Sequence, residues 1–480
     1  MSRPEWSRET IYVDGRWTHP RGPLIEVENP ATEEIIGTVR SASAADAVDA
    51  VLAARRATDR WAATSPAFRQ GLLAELSLAL QASADLLVDT LVAEVGTPRS
   101  LARSSHLGQA VAVLDSYVDL LGHYDFEQPL RHTRVLKESA GVVGAITPWN
   151  YPLYQLMAKV APALAAGCSI VAKPAELTPL SALVFADAAH SVGLPAGVLN
   201  IVPGSGTKVG AVLASHPEVD VVSFTGSTQV GRQVAAAAAA TVKRVCLELG
   251  GKSASVVLPD ADLQCAVSAT VANVMVNSGQ TCAAWTRLLV SAAQYDESLA
   301  FAAEACDQHV VGDPREDTTD LGPVISDRQR RSVLRFISEA TSAGGELVAG
   351  GVERPDGLSR GHYVRPTVIG GAQRSSRVAQ EEIFGPVLVV LPYVDLDDAV
   401  TIANGTPYGL AGSVWSGDDE KAFAVAKMLQ TGRVDINGAA WNPVAPFGGY
   451  KQSGNGRELG HFGLEEYLEV KSVQLPERSP

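Results

Sequence analysis

Cys282 sits in a short polar, glycine-containing stretch, Gly279-Gln280-Thr281-Cys282. A cysteine in such a turn is poised as a nucleophile if its thiolate is favoured. Cys168, Cys246, Cys265 and Cys306 lie among Ala, Val and Leu or in helical stretches, and read as core packing. A lone cysteine is more often structural than catalytic, so its companions decide. In Glu248-Leu249-Gly250-Gly251-Lys252-Ser253 a carboxylate closes an apolar run and two glycines follow. Desolvation there raises a Glu pKa and makes it a general base near neutral pH. An ordinary surface Glu before a turn looks the same. Thr147-Pro148-Trp149-Asn150-Tyr151-Pro152 closes another apolar run. Its Asn amide can donate to a developing oxyanion, although two flanking prolines equally suit a plain turn.

Other stretches suit a phosphate or a ribose. Phe224-Thr225-Gly226-Ser227 ends a strand and opens a helix, the layout for an anion at a helix N-terminus. It lacks the G-x-G-x-x-G fingerprint. In Lys173-Pro174-Ala175-Glu176 a cation and a carboxylate could meet ribose oxygens, or form an exposed loop. Glu381-Glu382-Ile383-Phe384-Gly385-Pro386 pairs acids with an aromatic, and 404–410 and 446–458 are turn-rich. Each could be a plain loop.

The elements that must hold these residues are legible from periodicity. Short apolar, β-branched runs at 142–147, 169–172, 198–202, 219–224 and 244–247 alternate with helical stretches at 153–166, 179–191, 205–214 and 228–240. That rhythm predicts a parallel sheet with right-handed crossovers, which places ligands just beyond the strand ends. A second α/β stretch follows from about 253 to 449, with strands expected at 255–258, 288–291, 387–392 and 413–415. Before the sheets, 46–63 and 69–94 have helical spacing. Two polar strands, 131–137 and 466–475, stand outside the main pattern and could pair as an arm.

Composition bounds the function. The chain has 480 residues, 46% of them hydrophobic, enough for a large core and too apolar for wholesale disorder. Its net charge of −14 argues against nucleic acid as a main partner, because phosphate binding needs a dense basic face. The five sparse cysteines do not resemble a secreted disulfide framework. No apolar signal segment opens the chain, and runs such as 160–172 fall short of the ~18–20 residues of a membrane span. A soluble cytoplasmic protein with no membrane partner is expected. No catalytic metal is expected either, because the nine histidines are scattered and Cys306 with His309 has no partners at zinc spacing.

Taken together, the motifs closely resemble the NAD(P)-dependent aldehyde dehydrogenase superfamily, in family order and over more than 300 residues. The resemblance implies an α/β fold: a Rossmann-type parallel-sheet coenzyme domain (1–122 and 140–249), an α/β catalytic domain (250–465) and a β oligomerisation arm (123–139 and 466–480). It implies that Cys282 attacks the aldehyde, that Asn150 and the Cys282 backbone N–H hold the oxyanion, and that Glu248 activates water to hydrolyse the thioester. Lys159 and Glu458 match positions that assist proton movement. For the cofactor, Lys173 and Glu176 match the adenine-ribose positions, Ser227 the pyrophosphate position, Glu382 the nicotinamide-ribose position, and Phe384 flanks the ring. Thr147, Pro148, Trp149, Phe224, Gly226, Leu249 and Gly250 complete the cofactor set. Glu176 favours NAD over NADP, because a carboxylate accepts from both ribose hydroxyls and repels a 2′-phosphate.

Tyr151, Gln155, Ala158, Thr281, Ala283 and Trp441 match the family's substrate tunnel. Ala158 stands where several members carry a large aromatic, which widens the tunnel, and Trp285 is read as core. None of these residues is an arginine, which speaks against a dicarboxylic semialdehyde. The expected substrate is a medium or bulky apolar aldehyde, aliphatic or aromatic, and the expected assembly a homodimer or homotetramer. The alternatives are a semialdehyde dehydrogenase with NADP use, or a cysteine thioesterase or esterase. The hydrolase leaves Lys173, Glu176, Ser227 and Glu382 without a purpose. An acylating dehydrogenase would not need Glu248, and a non-catalytic protein would not need Cys282, Glu248 and Asn150 together.

Overall fold

The computed structural model describes residues 6–476. The ends of the expected segments, 1–5 and 477–480, lie outside them.

Two large sheets carry the architecture. In the first, the strands run in the order Gly454–Asn455, Arg244–Glu248, Val221–Thr225, Val142–Ile146, Ser169–Lys173, Leu199–Ile201, Ile11–Val13, Arg16–Thr18. The five central strands are parallel, as the alternating rhythm predicts. Antiparallel pairs close both edges. Val142–Ile146 and Ser169–Lys173 are buried at every residue. This accounts for their continuous apolar runs, since a sheet covered by helices on both faces has no wet side. Val142, Ile146 and Val171 pack with Val51 and Ala54 of the helix Ala44–Ala62. Val143, Ala145, Ile170 and Ala172 face the other core, with Leu156 and Leu164 of the helix Pro152–Ala166.

That second helix is buried along its whole length. It starts with Pro152 at its first turn, where the missing N–H costs nothing, and stops at Gly167, whose φ of 84° suits glycine. The expected stretch 69–94 is two helices, Pro66–Ala82 and Ala84–Val95, bent by 67°. Ser83, with φ −93° and ψ 11°, breaks the first and starts the second. The apolar stripe survives the break, with Leu73, Leu76, Leu80, Leu87 and Leu91 all fully buried. The expected helix 205–214 opens as a π-helical turn, Gly206–Gly210, before Ala211–Ser215. Among the described residues no single helix is long and apolar enough to cross a membrane.

The second sheet runs Glu346–Ala349, Thr367–Gly370, Val387–Tyr393, Arg287–Ser291, Ala254–Val257, Ala411–Trp415, Arg433–Ile436, parallel except at Glu346–Ala349. Trp285 packs edge-on to Trp415 in its core, as expected. The polar strands do pair: Leu468–Gln474 runs antiparallel to Thr133–Ser139, and Glu127–Leu130 adds a third strand. One excursion ties a late stretch of the chain to its middle. Gly454–Asn455, from within the expected 250–465 segment, returns to the first sheet and pairs with Leu247 and Glu248.

Candidate active site

Cys282 hangs on a turn that few sequences can make. After the helix Leu263–Met275 the chain takes three consecutive left-handed residues: Asn277 (φ 52°), Ser278 (φ 56°) and Gly279 (φ 74°). At Asn277 and Ser278 this costs about 1–3 kcal/mol each, so surrounding bonds must over-determine them, whereas glycine adopts it freely. Asn277 Nδ2 donates to the Asn150 carbonyl (2.9 Å), Ser278 Oγ to the Gly322 carbonyl (2.7 Å) and Gln280 Nε2 to the Asn277 carbonyl (3.1 Å). The Ile325 N–H donates to Gln280 Oε1 (2.8 Å). Gly279 also runs against backbone: a Cβ there would lie 2.0 Å from the Gly385 carbonyl carbon.

Asn150 follows the strand Val142–Ile146 and is 3% exposed. One of its amide hydrogens goes to the Gln280 carbonyl at 2.9 Å, in the turn that carries Cys282. The other is free for a reacting oxygen. Glu248 ends the strand Arg244–Glu248, is 4% exposed, and its Oε2 has no partner. Burial, then the charge of Glu458, holds its pKa well above the carboxylate range. Lys159 and Glu458 form a buried ion pair at 2.6 Å, and the Lys159 ammonium also donates to Ser223 Oγ at 3.1 Å. Burial pushes the Cys282 thiol up to about 12, and Glu382, Glu248 and Glu458 add to it. These surroundings favour the thiol, so the condition named from the sequence, a favoured thiolate, needs a base to meet it.

These groups open onto one cleft of about 370 Å³, lined by Cys282, Glu248, Asn150 and Gln155 together with Pro148, Trp149, Gly226, Ser227, Leu249, Gly250, Glu382 and Phe384. Its walls suit a dinucleotide. Ser227 caps the helix Thr228–Ala238, accepting from the Val230 N–H, and a helix N-terminus lining a cleft suits an anion. Glu382 accepts from the Gly251 N–H at 3.1 Å, and a Cβ at Gly250 would meet its Oε2 at 2.1 Å. Desolvation pushes Glu382 up to about 7. Phe384, held at φ 58°, meets Trp149 edge-on with centroids 5.3 Å apart. Phe224 lies under the Gly226 turn, where a Cβ would meet its ring at 2.6 Å. Thr147 is buried with an unpartnered Oγ1. Lys173 is buried and gives its protons to the Pro174 and Gly204 carbonyls, at 2.9 and 3.1 Å. Glu176 beside it is exposed and favours the lysine's charged form, against a burial that pulls Lys173 down to about 8.

Of the expected tunnel residues, Gln155 lines this cleft beside Cys282, and the others lie around Tyr151. Tyr151 OH bonds Thr281 Oγ1 at 2.8 Å. Cys282, Ala283 and Trp441 pack against the same apolar cluster as Tyr151 and Ala158. Ala158 is wholly buried there and does not line the cleft itself. Tyr154 was not anticipated: it stands between Tyr151 (6.5 Å, 80°) and Trp441 (6.1 Å, 77°). Its signal was its place three residues after Tyr151 on one helix face. His106 is also new, stacked on Tyr151 at 4.4 Å and held neutral by a burial that lowers it to about 3. Gln329, whose Nε2 reaches the Phe384 carbonyl at 2.8 Å, carried no chemical signal in its surroundings. Cys265 is exposed, against the core reading, whereas Cys168, Cys246 and Cys306 are buried; all five thiols are free.

Comparison with known proteins agrees with this geometry. The model of the aldehyde dehydrogenase family matches residues 17–473. A Pseudomonas sp. protein named 3-succinoylsemialdehyde-pyridine dehydrogenase is 49% identical over 468 residues, covering 96% of this chain and 98% of its own. The crystal structure of a mutant aldehyde dehydrogenase C from Pseudomonas syringae, in complex with NAD+ and octanal, superposes with a TM-score of 0.97 at 45% identity, covering 98% of each chain. An aldehyde dehydrogenase from Mycobacterium tuberculosis complexed with NAD+ gives 0.96 at 40% identity, covering 99% of each. The chain therefore belongs to the aldehyde dehydrogenase family.

Proposed function

We propose that the protein oxidises a medium or bulky apolar aldehyde to the carboxylic acid with NAD, through a thiohemiacetal and then a thioester on Cys282. The observation that carries this is a single cleft lined at once by Cys282, Glu248 and Asn150, and by Ser227 at a capped helix N-terminus and Glu382. Bound NAD supplies the hydride acceptor. Ser227 and the helix start hold phosphate, Glu382 a ribose, and Trp149 and Phe384 exclude water from the sides. Lys173 and Glu176 hold the second ribose. The carboxylate disfavours a 2′-phosphate and hence NADP.

The chain's own groups divide the work. Cys282 gives up its proton to Glu248 and its sulfur bonds the carbonyl carbon, while the carbonyl electron pair moves onto oxygen. Asn150 Nδ2 and the Cys282 N–H stabilise that oxygen. Hydride leaves the same carbon and the C=O bond re-forms as a thioester. Glu248 then takes a proton from water, the hydroxide adds, and the C–S bond breaks to release the acid. The Lys159–Glu458 pair and Ser223 carry each proton away from Glu248, the one from Cys282 before water is activated and the one from water afterwards. Being raised by its surroundings, Glu248 is a stronger base than a free carboxylate once ionised.

The aromatic wall of Tyr151, Tyr154 and Trp441 suits an apolar tail. Octanal in the Pseudomonas syringae structure favours an alkyl chain, while the name of the Pseudomonas sp. relative favours a semialdehyde on an aromatic ring. We assign the first sheet to the coenzyme and the second to the catalytic half. The three-stranded arm presents the wholly exposed strand Glu127–Leu130, which suits strand addition to a partner copy in a dimer or tetramer. The five free thiols suit the reducing cytoplasm. The test is a panel of alkyl, aryl and semialdehyde substrates run with NAD and NADP in parallel, following reduced cofactor. Efficient oxidation of medium or bulky apolar aldehydes with NAD is expected. Turnover confined to acetaldehyde or succinic semialdehyde, or full-rate ester hydrolysis without NAD, would overturn the reading.

A further inference from the structure

Behind the Gly250-Gly251 turn lies a second, much smaller cavity, of about 20 Å³, between the strand Ala254–Val257 and the end of the helix Leu396–Asn404. Its surroundings are cationic. Lys252 is 1% exposed, lines the cavity, and its Nζ has no partner. Arg287, also 1% exposed, lines it too. Arg287 spends its donors on backbone carbonyls alone: Lys252 (2.8 Å), Ile402 (2.7 Å) and Ala403 (2.7 Å). Lys451 stands just outside and donates to the carbonyls of Asn404 and Thr406, two lining residues. Among the described residues none of these three cations forms an ion pair. Glu381 and Glu382 act on Lys252 only from beyond ion-pair distance. Two further donors, Ser253 Oγ and Thr431 Oγ1, belong to lining residues and are buried without partners.

We propose that this cavity binds one halide-sized monovalent anion, held by the Lys252 ammonium and the Ser253 and Thr431 hydroxyls and balanced by Arg287 and Lys451. The volume admits a single water-sized occupant and excludes phosphate or a carboxylate. Between water and a halide, the charges decide. Buried cations are normally paired with an anion, and here Arg287 meets only carbonyl dipoles and Lys252 Nζ meets no partner. Water would satisfy hydrogen bonds but leave the positive charge uncompensated.

The site has a pH signature. Burial, and then Arg287, pull Lys252 down to about 7. An anion prefers the protonated lysine, so chloride affinity falls as pH rises through that value. Facing Lys252 are Arg287 from its strand and Glu381 and Glu382 from the loop before Val387–Tyr393; Lys451 acts through Arg287.

The test is thermal unfolding of the full chain in chloride against gluconate at constant ionic strength, at pH about 6 and about 8.5. A saturable, chloride-specific rise in Tm is expected, larger at the lower pH. Lys252→Met should abolish it. Thr431→Val, which removes one hydroxyl and keeps the shape, should weaken chloride affinity about 5–10-fold, and this arm stands if Lys252→Met does not fold. Crystals in bromide should show an anomalous peak in the cavity. A bromide-free cavity, or a chloride response unchanged in the folded Lys252→Met or Thr431→Val protein, would mean water alone fills it and would overturn the proposal.

Discussion

Replacing Gly279 by alanine tests whether the turn before Cys282 is what aims the sulfur. The new Cβ would lie 2.0 Å from the Gly385 carbonyl carbon, 2.1 Å from its oxygen and 2.4 Å from Pro386 N. All three are backbone atoms at the threshold of the strand Val387–Tyr393, so no side chain can rotate away. Restoring van der Waals contact requires one segment to retreat by more than about 1 Å. The left-handed φ of 74° adds about 1–2 kcal/mol, and the overlap about 1–3 kcal/mol. A displacement of about 1 Å at a reacting atom costs about 10²-fold. Gly193→Ala is the control, because Gly193 has a similar φ of 70° with nothing within 4 Å of its Cβ position. Both variants should lose stability, Gly193→Ala by only about 1–2 kcal/mol. In Gly279→Ala, kcat/KM should fall about 10²-fold and alkylation of Cys282 should slow, while NAD binding followed by fluorescence persists. If Gly279→Ala matches Gly193→Ala in both Tm and turnover, the turn does not position the nucleophile.

Other variants separate the steps. Glu248→Gln removes the acceptor of the Cys282 proton as well as the base that activates water, and should slow both the burst of reduced NAD and steady-state turnover, the latter about 10²–10⁴-fold; unchanged steady-state turnover would remove Glu248 as the hydrolytic base. Asn150→Ala removes both the oxyanion donor and the bond to the Gln280 carbonyl, and should cost about 10²–10³ in kcat, with a near-normal rate counting against it. The acid limb of the kcat/KM profile should lie well above an ordinary carboxylate, since Glu248 must be ionised to act and its pKa is raised. Glu458→Gln removes a charge that raises Glu248 and frees Lys159, which lowers it. Both effects move that limb to lower pH, and a shift upward would contradict the assigned coupling.

The parallel strands of the first sheet were legible because burial on both faces leaves an unbroken β-branched run, and Val142–Ile146 and Ser169–Lys173 differ from the expected bounds by one residue. The break at Ser83 was not, because the apolar stripe continues in register across it and serine neither forbids nor demands a helix. The weakest strands escaped for another reason. Gly454–Asn455 is two residues long, and its pairing with Leu247 and Glu248 is a tertiary fact with no local pattern. At the site, the sequence singled out Cys282, Glu248 and Asn150 as a set, and the structure brings them to one cleft. The charge state of the thiol could not be read, because it depends on Glu382 and Glu458, which are distant in sequence and meet it only after folding. Tyr154 and His106 were hidden likewise: each is an ordinary apolar-face residue until Tyr151 stacks or turns its edge to it.

The return of Gly454–Asn455 to the strand bearing Glu248 has a consequence for biosynthesis. Until the ribosome has made residues 454–458, that strand is a naked sheet margin, open to pairing with a neighbouring nascent chain, and Lys159 lacks its counter-ion Glu458. The surroundings of Glu248 and of Lys159 are thus completed together, by one short stretch of chain, so a polypeptide cut short before residue 454 is left with an unguarded edge and an isolated buried ammonium.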